Sequence, residues 1–297
     1  MTDTPFYSAN SYFKKIFGKK VYKISLNGGM TCPNRDGKLG YRGCIFCSEG
    51  GSGDFAQEAF LPISEQITKG IELVSQKFAG DAFIAYFQAF TNTYAPVDYL
   101  EKIFYEAICD PRIAGLSIAT RPDCLSPEII SLLSRLAAIK PLWVELGLQT
   151  VNENTAEYIR RGYKLSVFDE AVNRLHEADI NVIAHMIIGL PGEGHDDYMN
   201  TSRHIADLNI SGIKLQLLHV LKNTDLAADY QAGKFRTLSR EEYVRTVVDI
   251  IETLPPSMVI HRITGDGPRS LLISPQWSTD KKNILNLINR EFKNRDT

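Results

Sequence analysis

From residue 21 onward the chain alternates short apolar runs of β character with amphipathic helical stretches, and this rhythm restricts the fold more than any other feature. The runs lie at 21–26, 82–88, 113–119, 142–148, 181–188 and 212–218. Between them, apolar residues recur at helical spacing. One face carries Ile63, Ile67, Ile71, Val74 and Phe78; the next carries Val97, Leu100, Ile103, Phe104 and Ala107. Ser126 and Pro127 open a helix bearing Ile129, Leu132, Leu133 and Leu136, as a side-chain cap followed by proline at the first position. Phe168, Ala171, Val172 and Leu175 mark another, and 196–208 a further one. Nearly unbroken apolar strands such as 82–88 belong to sheets covered on both faces, so a βα barrel or a doubly wound sheet is expected. Chemically capable residues fall just after the strands, at Cys32, Gln88, Arg121, Gln149, Pro191 and His219. Barrel enzymes build their sites from those loops. A partial (β/α)6 TIM-type barrel follows, with its core at about 20–220. Extensions at 1–19 and 221–297 complete one domain, the second including a strand at 258–263 and a final helix at 281–292.

Three of the five cysteines sit in one glycine-rich loop after the first strand, as Cys32-x11-Cys44-x2-Cys47. An odd count with three clustered does not read as a secreted disulfide framework and fits a reducing cytosol. Residues 1–10 lack a basic-then-apolar signal pattern, and no apolar run approaches the ~20 residues that span a bilayer. A cytoplasmic protein without membrane association is expected. Cys109 and Cys124 stand alone and read as small, partly buried hydrophobes. Three soft thiolates suit a zinc ion with a histidine as fourth ligand, or an iron–sulfur cluster with one iron left open. Net charge is −2, yet between residues 10 and 42 Lys14, Lys15, Lys19, Lys20, Lys23, Arg35, Lys38 and Arg42 face the single acid Asp36. That segment is either a solvated charged surface or a phosphate-contacting patch.

The cysteine loop, with Cys-Pro-Asn-Arg-Asp-Gly inside its long first gap, resembles radical S-adenosylmethionine (SAM) enzymes of the YhcC/YtqA type, related to the Elongator catalytic subunit. Thr120-Arg121-Pro122-Asp123 and Glu145-Leu146-Gly147-Leu148-Gln149 are similar to signatures of the Elongator-like members. The resemblance implies a [4Fe–4S] cluster on Cys32, Cys44 and Cys47, SAM on the open iron, and an electron donor such as flavodoxin or ferredoxin. It implies a 5′-deoxyadenosyl radical that abstracts hydrogen from the substrate. Phe46 would pack beside the adenine, and Gly189-Leu190-Pro191 would bring backbone to it. Gln88 stands where many relatives bind the methionyl amino group with Gly-Gly-Glu. Arg121, Glu145 and Gln149 fall in SAM-site motifs, Arg161 aligns with a carboxylate-binding arginine, and His185 with a ribose-contacting acid.

Lys214, Gln216 and His219 alternate on the sixth strand and are read as one face toward the substrate; Lys214 equally pairs with a carboxylate such as Glu145. Asp266 and Arg269, in a glycine-rich loop, are read as closing over the substrate. The Elongator kinship and the early lysines point to tRNA, with chemistry on the C5 substituent of a wobble uridine, such as a carboxymethylaminomethyl group. A small metabolite or a protein substrate is the alternative within radical chemistry, and a zinc-stabilised binding protein the alternative outside it.

Overall fold

The structure, a computed structural model, describes residues 4–265 and 267–295; the sequence expectation for Asp266 lies outside the described residues. Seven parallel strands make one curled sheet: β1 (Tyr22–Leu26), β2 (Phe83–Phe87), β3 (Ile113–Thr120), β4 (Leu142–Gln149), β5 (Asn181–Ile188), β6 (Gly212–Leu217) and β8 (Val259–Arg262). A small antiparallel pair, β7 (Val220–Leu221) with β9 (Leu272–Ser274), lies beside it. The six expected strand–helix units are present, and the run read as a further strand joins them: Gly212 pairs with Val259 and Lys214 with Arg262. Spatial order follows chain order, so each connection crosses the same face of the sheet. That face carries α2 (Ile63–Ser75), α3 (Val97–Cys109), α4 (Pro127–Ala137), α6 (Leu165–Glu177), α7 (His195–Asp207) and α9 (Arg240–Thr253). The one-handed crossover of parallel strands has this consequence, and it curls the sheet into a partial barrel.

Strand alternation divides the sheet into two surfaces. Outward residues such as Ile24, Ala85, Leu116, Val144, Val182 and Leu215 pack under the helices in one core with Phe104, Leu132, Leu133 and Leu175. Each such buried leucine or phenylalanine contributes roughly 1.5–3 kcal/mol. Ser126 Oγ accepts from the Ile129 amide at the start of α4, and Ser239 forms a reciprocal cap with Glu242 at the start of α9.

The inward residues are layered. At the strand starts, Ile84, Trp143 and Ile183 meet Phe13 from α1 (Ala9–Phe17). The Phe13 and Trp143 rings lie 5.4 Å apart and nearly perpendicular, and Trp143 Nε1 donates to the Tyr12 hydroxyl at 3.1 Å. Helix α1 thus floors the barrel. Its Lys14 and Lys15 are exposed at the end opposite the strand C-termini.

Some sequence expectations change in detail. Phe78 falls beyond α2 and stacks on Tyr22 at 5.1 Å. Cys109, at the end of α3, is exposed rather than partly buried, because the apolar face of α3 ends at Ile108; Cys124 is buried. The polar segment after β4 winds into α5 (Glu153–Tyr158), capped by Asn152, and α8 (Asp225–Gln231) follows β7. The chain ends in α10 (Lys281–Asn294). No helix among the described residues is long and apolar enough to cross a membrane.

Candidate active site

The loop after β1 wraps a cavity at the C-terminal mouth of the barrel, and twelve of the residues chosen from sequence line it: Cys32, Cys44, Phe46, Cys47, Gln88, Arg121, Glu145, Gln149, Arg161, His185, Lys214 and Gln216. Two residues inside the long cysteine gap hold the loop in shape. Asn34 Nδ2 donates to the Arg160 carbonyl at 2.7 Å and approaches Cys44 Sγ at 3.4 Å. Arg35 donates to the carbonyls of Cys47 and Ser48 at 3.1 and 2.6 Å, with its guanidinium over the Phe90 ring. Gly51 has φ +57, and a Cβ there would lie 2.2 Å from the Phe90 ring, so both conformation and space demand glycine.

Burial pushes the Cys44 thiol up to about 12 and raises Cys47 as well, and the three sulfurs reinforce this by mutual repulsion. A cationic partner is what turns such thiols into thiolates. The three sulfurs line one cavity, with Arg35 and Arg121 nearby to offset thiolate charge. Three thiolates presented by one loop are a donor set that fits an iron–sulfur cluster.

Deeper inside is a charged layer. Glu145, on β4, is wholly buried. Its Oε1 accepts from Lys23 Nζ and from Ser117 Oγ, both at 2.6 Å. Its Oε2 accepts from His185 Nε2 at 2.7 Å and from Lys214 Nζ, which also donates to the Tyr86 hydroxyl at 3.1 Å. Burial by itself raises a carboxyl group, but Lys214 and Lys23 outweigh it and hold Glu145 well below the usual range. Burial lowers Lys214 to about 7 against the pull of Glu145, and lowers His185 to about 4. His185 is thus neutral, and Gln216 Nε2 lies 3.1 Å from its Nδ1. An amide donor on Nδ1 assigns the proton to Nε2, which donates to Glu145.

These contacts show how several of the expected site residues are held. Both ring nitrogens of His185 have partners within the protein, Glu145 and Gln216. Arg161 lines the cavity and also clamps the end of β4, donating to the carbonyls of Leu148, Thr150 and Tyr163 and to Glu153. The Thr-Arg-Pro-Asp signature is explained by a forked pair: Arg121 donates to both carboxylate oxygens of Asp123, at 2.9 and 2.8 Å, and to the Arg161 carbonyl. Gln88 is tied at both ends, accepting from Ser25 and donating to the Ser52 carbonyl. Gln149 has φ +68 beside a register shift in the β4–β5 pairing, which re-aims it at the strand end.

His219 does not share the face of Lys214 and Gln216. Strand β6 ends at Leu217 and 219 is out of step with 214 and 216, so His219 bonds Ser278 and lines a separate groove with Arg269. Gly189, Leu190 and Pro191 stay outside the cavity lining; Leu190 packs with Ile45, Ile159 and Phe46 beneath the cysteine loop. The early cations do not form one patch. Lys23 turns inward, Arg35 binds the loop, and Arg42 pairs with Asp225 at 3.3 Å, the carboxylate that also takes Arg160.

Sequence reasoning missed Lys23, Tyr86, Asn34, Arg35 and Tyr163. The Tyr163 hydroxyl bonds the Gly147 carbonyl, and its ring sits 4.9 and 5.0 Å from the Arg121 and Arg161 guanidiniums. A signal existed for Lys23, which alternates with Ser25 on the inner face of β1, and for Asn34 and Arg35, which stand inside the cysteine gap.

A cysteine-lined mouth on a partial parallel barrel defines a class, and the chain belongs to the radical SAM superfamily: residues 32–205 match that family, and 210–294 match the Radical_SAM C-terminal domain. It is an enzyme of that superfamily, with a [4Fe–4S] cluster and SAM as cofactors. The zinc-protein alternative falls with that membership. Within the superfamily, the chain is 45% identical to YtqA of Bacillus subtilis (strain 168) over 294 residues, covering 99% of this chain and 91% of that one. It is 26% identical to the human Elongator complex protein 3 over 187 residues, 62% of this chain but 32% of that protein. The archaeal Methanocaldococcus infernus Elp3 structure shares the fold with a TM-score of 0.70 at 17% identity, across 93% of this chain and 63% of that one.

Proposed function

We propose that this enzyme modifies tRNA at a wobble uridine, abstracting hydrogen from the C5 substituent, of which a carboxymethylaminomethyl group is the leading case. The observation that carries the substrate class is the 26% identity with the human Elongator complex protein 3 over 187 residues; Thr120–Asp123 and Glu145–Gln149 also resemble signatures of the Elongator-like members. Cys32, Cys44 and Cys47 would hold three irons of the cluster. When bound and reduced, the cluster and SAM together supply a 5′-deoxyadenosyl radical. The chain's own residues position and shield. Asn34 and Arg35 fix the cysteine loop, while Phe46 and Gln149 stand at the cavity wall for the adenosyl and methionyl parts. The layer of Glu145, Lys23, Lys214 and His185 sets a rigid polar floor below, whose partners are already paired and need no reorganisation. A flavodoxin or ferredoxin would deliver the electron.

Deleting the gene and profiling modified tRNA nucleosides tests the substrate. Loss of one wobble-uridine derivative with build-up of its precursor is expected, and an unchanged profile sinks the tRNA reading. Anaerobic reconstitution tests the chemistry separately: 5′-deoxyadenosine must form with SAM and reductant, and must not form in Cys44→Ala.

A further inference from the structure

The side-chain amide of Asn34 is committed by what surrounds it. It is buried, and Nδ2 donates to the Arg160 carbonyl at 2.7 Å. A carbonyl can only accept, so this contact decides which end of the amide is the nitrogen. The second hydrogen on Nδ2 is left for Cys44 Sγ, 3.4 Å away. On the other side Oδ1 lies over Gly162, where φ is +82 and an added Cβ would stand 2.8 Å from that oxygen. The Asn34 backbone is held too, its carbonyl accepting from the Gly43 amide at 2.8 Å. The Cys44 thiol reaches the Arg160 carbonyl at 3.6 Å, a contact that ends when the sulfur gives up its proton as a ligand. Asn34 then stands between carbonyl and thiolate as the donor to both.

The Arg160 carbonyl is in turn held from a distant part of the chain. Arg160 has φ +59, a left-handed conformation that a residue other than glycine keeps only where its surroundings impose it. Two contacts hold it there. Its amide donates to the Glu157 carbonyl at 2.9 Å, and its guanidinium donates to Asp225, in the first turn of α8, at 2.5 Å. The same carboxylate pairs with Arg42, two residues before Cys44, and the Leu226 amide donates to the carbonyl of Ile45, one residue after it. Leu226 and Ala227 pack with Ile45 and Phe46 in one apolar cluster. Helix α8 thus grips the cysteine loop on both sides of Cys44.

We infer that Asn34 is a hydrogen-bond donor that raises the reduction potential of the cluster held at Cys44, and that Asp225 is the residue that positions it, through Arg160. A cluster gains negative charge on reduction, and an N–H aimed at a ligand sulfur stabilises the more negative state. The donor therefore makes the cluster easier to reduce. The inference concerns the cluster alone and stands whether or not the substrate is tRNA.

The test is an anaerobic dye-mediated redox titration of the reconstituted protein without SAM, followed by the electron paramagnetic resonance of the reduced cluster. Iron content and visible absorbance verify loading. Asn34→Ala is expected to be about tenfold harder to reduce, a shift of about 60 mV to more negative potential for one electron. Asp225→Ala is expected to move the potential in the same direction and by less. The sign is diagnostic, because deleting a negative charge near a cluster makes reduction easier when charge alone acts. Asn34→Ala/Asp225→Ala should match Asn34→Ala, since the carboxylate acts through the amide. Lys234→Ala removes an exposed charge just beyond α8 and is expected to leave the potential unchanged. An unchanged potential in loaded Asn34→Ala overturns the inference. So does an unchanged or more positive potential in Asp225→Ala, or a double variant in which the two shifts simply add. If Asn34→Ala holds no cluster, Asp225→Ala decides alone, and the same two results there leave Asn34 a purely structural residue.

Discussion

Glu145→Gln is the most discriminating single perturbation. The change keeps shape and removes one negative charge from a group that accepts from Lys23, Ser117, His185 and Lys214. Lys214, in a side chain 5% exposed, already sits at about 7 with Glu145 beside it, so without that counter-charge it gives up its proton and leaves a buried pair broken from one side. Breaking a buried pair from one side costs about 3–5 kcal/mol. Lys23 is 23% exposed and regains part of its hydration, which favours the lower end, so about 3 kcal/mol is expected. For a chain of this size that is a fall of about 5 °C in melting temperature. The decisive assay is the double variant Glu145→Gln/Lys214→Met, with Lys214→Met as the second corner of the cycle. Removing both charges should cost at least about 1 kcal/mol less than the sum of the single changes. Strict additivity, or a loss below about 0.5 kcal/mol for Glu145→Gln, would refute a charge-paired layer.

Three further outcomes follow from the same geometry. Glu145 is held well below its unfolded value, so its stabilisation is complete above about pH 4.5 and is lost as pH falls toward its folded pKa. Urea midpoints should therefore drop across that acid range in wild type, and Glu145→Gln should show a flatter acid limb. Gly51→Ala forces a Cβ into the Phe90 ring at φ +57; a loss of roughly 1–3 kcal/mol and poorer iron retention after gel filtration are expected. Phe13→Ala opens the apolar floor against Trp143 and should cost about 3–5 kcal/mol, read as a lower melting temperature and a shifted tryptophan emission.

The strands were legible because residues such as those of β2 are buried on both faces, and a continuous apolar run records that directly. The cysteine loop was legible because its three cysteines are local, spanning sixteen residues. Even the Lys214–Glu145 pair could be anticipated, since a lone lysine on an inner strand face needs an acid. Long-range partnerships were hidden. Lys23 meets Glu145 across 122 residues, and nothing near either one announces the other. His219 is apart from Lys214 and Gln216 for a simple reason: three residues from Gln216 is an odd step, and β6 has already ended at Leu217. Arg161 and His185 were placed by alignment to a ligand, and in the fold they also bond neighbouring backbone and side chains. Chemical type is visible in a sequence, whereas prior commitment of the group is not.

The floor made by Phe13, Trp143, Ile84 and Ile183 also bears on kinetics. With that end of the barrel packed solid, the cavity is reached from the end that carries the cysteines. If the substrate is the tRNA proposed above, SAM and tRNA would share one entrance and SAM would have to load first. Free methionine or deoxyadenosine should then compete with SAM rather than with tRNA.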